Sequence, residues 1–181
     1  MKITESRMSS LMVSVSGVRG IVGEALIPEV VAKFSAAFGR LTQEGMIVVG
    51  SDTRTSNQMF RYAVFSGLLS SGCEVVDVGV CPTPSLQLIV EKLEASGGIA
   101  ITGSHNPAEW NALKFIRSDG LFLYPEQGKL LLRIYAKERI TRVKWDKIRE
   151  VHHVEKIVSE SLSKSAVGIS CQLCSVQRLR H

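Results

Sequence analysis

Short runs of apolar residues recur along the first part of the chain, and most of them end in glycine or a polar turn. Runs of this length are typical of β-strands that are covered on both faces. We predict strands over residues 11–16, 46–50, 73–78, 98–102 and 112–116, with residues 121–124 as the antiparallel partner of the last.

Between these runs, apolar residues recur every three or four positions, which indicates helices with one buried face. Proline occupies the start of three such stretches, at Pro28, Pro84 and Pro125, where its missing amide hydrogen is tolerated. We predict helices that begin near residues 28, 60, 83 and 125, and the stretch 151–162 is compatible with a further helix.

The alternation of strands and helices indicates an α/β fold in which helices pack on both faces of a largely parallel sheet. In such sheets, ligands bind at the carboxyl ends of the strands. The polar segments that follow or interrupt the strands are therefore the first places to look for a functional site.

Composition excludes several classes of protein. The chain has 181 residues, of which 45% are hydrophobic and 22% charged, as in ordinary globular proteins, so disorder and collagen-like repeats are excluded. No apolar run approaches the roughly 20 residues that span a bilayer. The first seven residues mix charges and lack the apolar core of a secretory signal. We expect a cytoplasmic protein without a membrane partner.

The net charge of +5 raises the question of a nucleic-acid partner. Residues 1–138 carry 13 basic and 13 acidic side chains, whereas residues 139–181 carry nine basic and four acidic ones. The excess therefore lies in the tail, without a nucleic-acid-binding motif or interleaved aromatic residues, and we expect no nucleic-acid partner.

Four cysteines are present, and two of them, Cys171 and Cys174, form a lone C-x-x-C. A zinc site needs a second pair of ligands at matching spacing, and a thioredoxin-like motif opens a helix directly after a strand. Neither pattern is found here. We interpret all four cysteines as reduced thiols without a specialised function.

Three polar segments carry the candidate chemistry: residues 16–20, 51–57 and 102–107. In the third, Thr-Gly-Ser-His-Asn-Pro, a buried strand ends and a turn presents Ser104 beside His105 and Asn106. This order suits an exposed nucleophile or phosphate carrier. The same residues are also common as turn caps, and the hexapeptide alone does not decide between the two interpretations.

Two arginines at expected strand ends, Arg19 and Arg54, favour a phosphate site, because the guanidinium group matches phosphate oxygens bidentately. Lys114, ten residues after Ser104, could act as a general acid or base if neighbouring cations lowered its pKa. Each of the three could instead be a solvated surface residue, and it is their combination with Ser104 that favours a site.

Together these segments resemble the α-D-phosphohexomutase superfamily, which includes phosphoglucomutases, phosphomannomutases and phosphoglucosamine mutases. The resemblance rests on Ser-Gly-Val-Arg-Gly at 16–20, Gly-Ser-Asp-Thr-Arg at 50–54 and the signature at 102–107, followed by Asn111 and Lys114. It covers about residues 11–138 and implies a three-layer α/β/α domain with a mostly parallel mixed sheet, the first of the family's four domains.

The resemblance implies a role for each matching residue. Ser104 matches the serine that carries a phosphoryl group. His105 and Asn106 match the residues that flank this serine, and Arg19 matches an arginine close to it. Lys114 matches a lysine proposed to assist proton transfer. Asp52 and Arg54 match a supporting loop, which we expect to be structural before catalytic, and Asn111 belongs to the same matching set.

The family's reaction interconverts hexose 1-phosphates and 6-phosphates through the phosphoserine and a bisphosphate intermediate. It implies a hexose phosphate substrate, a hexose bisphosphate activator and Mg²⁺, which would contact Ser104 through its phosphate. The alternative is a catalytically inactive module that binds a sugar phosphate or a partner. A nucleotide-binding α/β domain is disfavoured because no glycine-rich phosphate motif follows a predicted strand.

The chain also departs from the family's pattern. We expect domain I at residues 1–138, and in residues 139–181 a linker and a truncated or aberrant start of domain II, because the periodicity fades from about residue 139 and is lost after about Leu162. The family's Asp-Gly-Asp-Gly-Asp-Arg loop does not occur in this sequence. We therefore expect negligible turnover from the isolated chain, and self-association through surface that further domains would cover. The family often has tyrosine, glycine and alanine at the positions of Trp110, Ala112 and Gly103. These replacements leave the identity of the hexose undetermined.

Overall fold

A computed structural model of the chain describes residues 11–14, 17–137 and 140–154. The described strands are β1 (Met12–Ser14), β2 (Gly17–Ile21), β3 (Met46–Ser51), β4 (Glu74–Val80), β5 (Gly97–Ile101), β6 (Trp110–Arg117) and β7 (Val151–His153). The described helices are α1 (Pro28–Leu41), α2 (Asn57–Ser70), α3 (Thr83–Lys92), α4 (Pro125–Ala136) and a 3₁₀ turn at Trp145–Lys147.

The strands form one mixed sheet in the order β1-β2-β6-β5-β3-β4-β7. Its β5-β3-β4-β7 part is parallel, whereas the β1-β2-β6-β5 part is antiparallel. β6 is antiparallel to both β2 and β5, and β3 is parallel to β5. The C-terminal ends of β2, β3 and β5 therefore lie at the same edge of the sheet. The loops that follow β3 and β5 therefore meet there, beside the start of β6.

Two hydrophobic clusters lie on opposite faces of the sheet. Ile47 belongs to the first cluster, and Val48, the next residue of β3, belongs to the second. Helices α1, α2 and α4 cover one face with residues such as Phe34 and Phe60. The other face is covered by α3, through Leu86 and Val90. The predicted α/β fold with three α/β/α layers is therefore confirmed.

The four predicted helices are present, and each begins within three residues of the predicted start. Their signal is local, because the apolar stripe of each helix is readable from its own sequence. The predicted boundary at residue 138 stays a prediction, while β7, beyond it, joins the same sheet beside β4.

Three details of the predicted pattern are wrong. Residues 17–21 form strand β2 rather than a polar loop, because they pair with β6. Residues 121–124 form no strand: a turn closed by Gly120 N–H to Arg117 O precedes them, α4 follows them directly, and one bridge joins Phe122 to Ile116. Val151–His153 is a strand paired with β4 and does not begin a helix.

Among the described residues, none of the helices has the length and apolar character required to cross a bilayer. Cys73 and Cys81 are buried free thiols, and the reduced state of all four cysteines stays a prediction. Cys171, Cys174 and the predicted helical residues 155–162 lie outside the described part of the chain.

Candidate active site

The loop between β5 and β6, residues 102–109, presents Ser104 at the edge of the sheet; we call it the serine loop. Ser104 is exposed and has a positive φ of 53°, a conformation that non-glycine residues rarely adopt. Its amide donates to Oγ1 of Thr102 at 3.0 Å, and the Asn106 side chain donates to Gly103 O at 2.8 Å. A tight turn therefore holds the hydroxyl outward in a strained backbone conformation, which is common at functional sites.

Three basic side chains from different elements meet Ser104 at one cavity of about 380 Å³. His105 follows it in the serine loop, with Nδ1 at 3.4 Å from the Ser104 Oγ. Arg19 comes from β2 and Lys114 from β6, and both line the same cavity, together with Asn106. The structure thus brings together five of the eight predicted site residues around one hydroxyl group.

The sheet register explains how Arg19 and Lys114 reach this cavity. Arg19 pairs with Ala112, and Lys114 follows Ala112 by two positions, so all three share one face of the sheet. β2 can approach β6 because Gly17 has no side chain: a Cβ there would lie 2.0 Å from the carbonyl oxygen of Leu113. In the described part of the chain, neither cation has an ion-pair or hydrogen-bond partner, so both are available to an anion.

The other three predicted residues, Asp52, Arg54 and Asn111, do not line the cavity and lie behind the serine loop. Arg54 belongs to residues 52–56, which connect β3 to α2 and which we call the arginine loop. Its guanidinium group donates to four carbonyl oxygens of the opposite loop and strand, those of Ser104 (3.1 Å), Asn106 (2.6 Å), Pro107 (2.6 Å) and Trp110 (2.9 Å).

The remaining donor of Arg54, Nε, lies 3.4 Å from Oδ2 of Asp52, and the side chain is 16% exposed. A guanidinium group has five N–H donors; four of them here donate to carbonyl oxygens, and the fifth lies at ion-pair distance from Asp52. The sequence-based hypothesis that Arg54 binds phosphate directly is therefore not supported by its geometry, whereas a supporting role fits it.

Asp52 joins the two loops by accepting hydrogen bonds from both. Its Oδ1 accepts from the Arg54 amide at 3.0 Å, and its Oδ2 accepts from the Gly103 amide at 3.1 Å. Burial alone would raise the pKa of this carboxyl, but the hydrogen bonds from the Arg54 and Gly103 amides and from Asn57 and Thr102 outweigh it, so its pKa is lower than usual. The carboxylate is thus the stable form at neutral pH.

Asn111, at the start of β6, is fully buried and continues this polar network. Its Nδ2 donates to Ser56 Oγ at 2.8 Å and to Asn57 Oδ1 at 2.7 Å, and its Oδ1 accepts from the Ala112 amide at 2.8 Å. Sequence reasoning missed Ser56 and Asn57, because an amide or hydroxyl at the start of a helix has the same sequence signal as an ordinary cap.

The described residues do not by themselves form a metal site. Within 11–14, 17–137 and 140–154, no group of three or more His, Cys, Asp or Glu side chains could hold a metal ion. The ligand that this region could offer to Mg²⁺ is an oxygen of a phosphoryl group on Ser104, and such a group is an oxygen donor of the kind Mg²⁺ prefers.

The sequence and the fold of this chain match those of known proteins. Residues 11–142 match the family model described as phosphoglucomutase/phosphomannomutase, alpha/beta/alpha domain I. A phosphoglucomutase/phosphomannomutase from Thermococcus kodakarensis is 43% identical over 140 residues, which are 75% of this chain and 31% of that protein. A phosphoglucosamine/phosphogalactosamine mutase from Sulfurisphaera tokodaii is 39% identical over 145 residues, 79% of this chain and 32% of its own length.

Among solved structures, a phosphoglucomutase/phosphomannomutase family protein from Burkholderia thailandensis superposes with a TM-score of 0.70 at 26% identity. That match covers 82% of this chain and 35% of the other. The chain therefore spans about a third of the length of these relatives, and the residues matched by the family model, 11–142, include all eight residues of the candidate site.

Proposed function

The chain belongs to the phosphoglucomutase/phosphomannomutase family through its α/β/α domain I, and from this premise we propose that Ser104 is the phosphoryl carrier of a hexose phosphate mutase. Members of the family are mutases of carbohydrate metabolism, a class of isomerase. The observation that carries the proposal is the exposed Ser104 hydroxyl at positive φ, in a cavity that Arg19, His105 and Lys114 also line.

Charge supports a phosphate ligand at this position. Phosphoryl transfer depends mainly on alignment of the reacting groups and on neutralisation of the negative charge of the transferred group. Arg19 and Lys114 face the cavity without a carboxylate partner in the described residues, so a phosphate dianion would satisfy two cations at once. The guanidinium group of Arg19 can hold two phosphate oxygens, and the Lys114 ammonium group adds a point charge.

In the proposed reaction, phosphorylated Ser104 donates its phosphoryl group to a hydroxyl of a hexose monophosphate. The Ser104 P–O bond breaks as the new sugar P–O bond forms, and Ser104 Oγ takes up a proton while the sugar hydroxyl loses one. His105 Nδ1 lies 3.4 Å from Oγ, and Lys114 faces the same cavity. The resulting hexose bisphosphate then returns its other phosphoryl group to Ser104.

Hexose bisphosphate is thus both the intermediate and the activator that would first load Ser104. Mg²⁺ would supply further charge neutralisation at the phosphoryl oxygens, but the described residues lack a complete set of ligands for it. Proton transfer is assigned to His105 and Lys114 alone.

The test is transfer of a phosphoryl group to the 181-residue chain from glucose 1,6-bisphosphate, with and without Mg²⁺, followed by intact and peptide mass spectrometry. We expect one phosphate on the peptide that contains Ser104, and none in S104A. S118A, which removes an exposed serine from the turn after β6, should behave as wild type. Phosphate that persists in S104A, or its absence from wild type under all conditions, would contradict the proposal.

A second candidate function is binding of a sugar phosphate without turnover, because Arg19 and Lys114 line the cavity whether or not transfer follows binding. A coupled assay for conversion of glucose 1-phosphate to glucose 6-phosphate separates the two. We expect negligible turnover from this chain, even where Ser104 accepts phosphate. Turnover comparable to that of a complete mutase would show that the described site suffices.

A further inference from the structure

A buried amide connects the arginine loop to β6, the strand that carries Lys114. Asn57, the first residue of α2, is 4% exposed. Its Nδ2 donates to the backbone oxygen of Asp52 at 2.6 Å and to Oδ1 of the same residue, while its Oδ1 accepts from Asn111 at 2.7 Å. Because both groups on Asp52 are acceptors, one orientation of the Asn57 amide satisfies all three contacts.

From Asn57, contacts lead to both parts of the candidate site. Through Asp52 they reach the Gly103 amide at 3.1 Å, one residue before Ser104. Through Asn111 they reach the Ala112 amide at 2.8 Å, two residues before Lys114. The side chain of Asn57 therefore connects the base of the serine loop to the strand with Lys114.

We propose that Asn57 is a positioning residue for phosphoryl transfer at Ser104, which acts by orienting the Asp52 carboxylate toward the Gly103 amide. The consequence for transfer rests on the proposed function, whereas the orientation of Asp52 does not. Asn57 contacts neither the cavity nor its cations, so it would affect transfer through the placement of Ser104 and not through binding of phosphate.

The N57D variant tests this orientation, because it replaces the donor with an acceptor of the same shape. Near neutral pH the new carboxylate would face the Asp52 carboxylate, and Arg54, the other charged group of this loop, is already engaged by five oxygens. At lower pH the two carboxyls share a proton, which restores a donor toward Asp52.

The measurement is hydrogen exchange of the Gly103 amide, whose acceptor is Asp52. At pH 7 we expect exchange about tenfold faster in N57D than in wild type, equivalent to a coupling of about one pKa unit. The ratio should fall toward one near pH 4, and amides of β4 and α3 should keep their wild-type rates. Q58E, which adds the same charge one residue later on an exposed side chain, should leave the Gly103 rate unchanged.

A ratio that is independent of pH, or faster exchange throughout the molecule, would mean that Asn57 only stabilises the fold, and would overturn the proposal. If N57D does not fold, wild type decides: scalar coupling across the hydrogen bond from Asn57 Nδ2 to Asp52 should be observed by NMR, and its absence contradicts the orientation. Transfer from glucose 1,6-bisphosphate to Ser104 should be slower in N57D at pH 7. If wild type accepts no phosphate either, the proposed function fails while the exchange data still decide the placement of Asn57.

Discussion

The guanidinium group of Arg54 packs against the backbone of Gly103, where a Cβ atom would lie 2.2 Å from Cζ of the arginine. The absence of a side chain at residue 103 thus lets Arg54 approach the serine loop closely enough to bind four carbonyl oxygens. The observed placement of the Arg54 side chain therefore requires a residue without a side chain at position 103.

G103A should therefore displace the Arg54 guanidinium and lengthen at least one of its hydrogen bonds. Because the obstructing atoms belong to the end of a flexible side chain, we expect a loss of about 1 kcal/mol, or a Tm lower by roughly 2–4 °C. The matched control is G128A in α4, where no atom lies within 4 Å of the added Cβ and helix propensity favours alanine. A G103A protein as stable as wild type would contradict the expectation.

R54K tests how much the planar guanidinium group of Arg54 contributes to stability, because the substitution keeps the positive charge. A lysine ammonium group has three donors on one nitrogen and cannot reach four carbonyl oxygens that surround a guanidinium group. We expect a loss of about 2 kcal/mol in the free energy of unfolding, measured by denaturant titration, because hydrogen bonds to a charged, largely buried group are lost. R133K, on the exposed face of α4, should change stability by less than about 0.5 kcal/mol.

The elements that the sequence predicts well are those with a local signal. The helix from Pro28 to Leu41 has its own buried stripe, and the order Thr-Gly-Ser-His-Asn-Pro already indicates an exposed serine after a buried strand. The sequence therefore identifies four candidates without any knowledge of their contacts, and the structure places them at one cavity: Ser104, His105, Arg19 and Lys114.

The parts that were missed depend on contacts distant in sequence. Residues 17–21 have two glycines and an arginine and resemble a loop, and they become a strand because Val18 pairs with Leu113. In the same way, β7 is a strand because Val151 pairs with Val75. The role of Asn57 depends on Asn111, 54 residues later, and no periodicity or motif connects the two.

Low pH should weaken the connection between the two loops. The pKa of Asp52 is lower in the folded chain than its ordinary value of 3.8, because hydrogen bonds outweigh the effect of burial. A lowered pKa means that the ionised carboxylate stabilises the fold above pH 3.8, and that this contribution is lost as the pH falls through the folded value. The free energy of unfolding between pH 5 and pH 2.5 should fall more steeply in wild type than in D52N.

Asp119 provides the control for this pH dependence. A hydrogen bond from Arg117 lowers its pKa too, but its side chain is 51% exposed, so solvent weakens the interaction. D119N should therefore change the pH dependence of the free energy of unfolding between pH 5 and pH 2.5 less than D52N does. Equal slopes for wild type and D52N would show that Asp52 titrates alike in the folded and unfolded chain.

Cys81 should react slowly with alkylating reagents in the folded chain. Burial raises its pKa to about 11, from an ordinary value of 9.0, and the residue is 6% exposed. At pH 8 this shift lowers the thiolate fraction roughly 100-fold, and the thiolate is the reactive species. Peptide mass spectrometry after iodoacetamide treatment of folded and guanidinium-unfolded chain gives the ratio; similar rates in both states would contradict the burial of this thiol.

Arg19 and Lys114 should together determine the affinity of the cavity for phosphate. Each faces it without a carboxylate partner in the described residues, so each can form a charge-assisted hydrogen bond to a bound dianion. Loss of one such bond costs about 1.5–3 kcal/mol, so R19A and K114A should each weaken binding of inorganic phosphate about tenfold or more in calorimetric titrations. Added salt should weaken phosphate binding to wild type more than to either variant, because each variant has one charge fewer at the cavity for salt to screen.

The control is K129A, which removes an exposed lysine from α4 and should bind phosphate as wild type does. An equal loss of affinity in K129A would mean that net charge rather than the cavity governs binding.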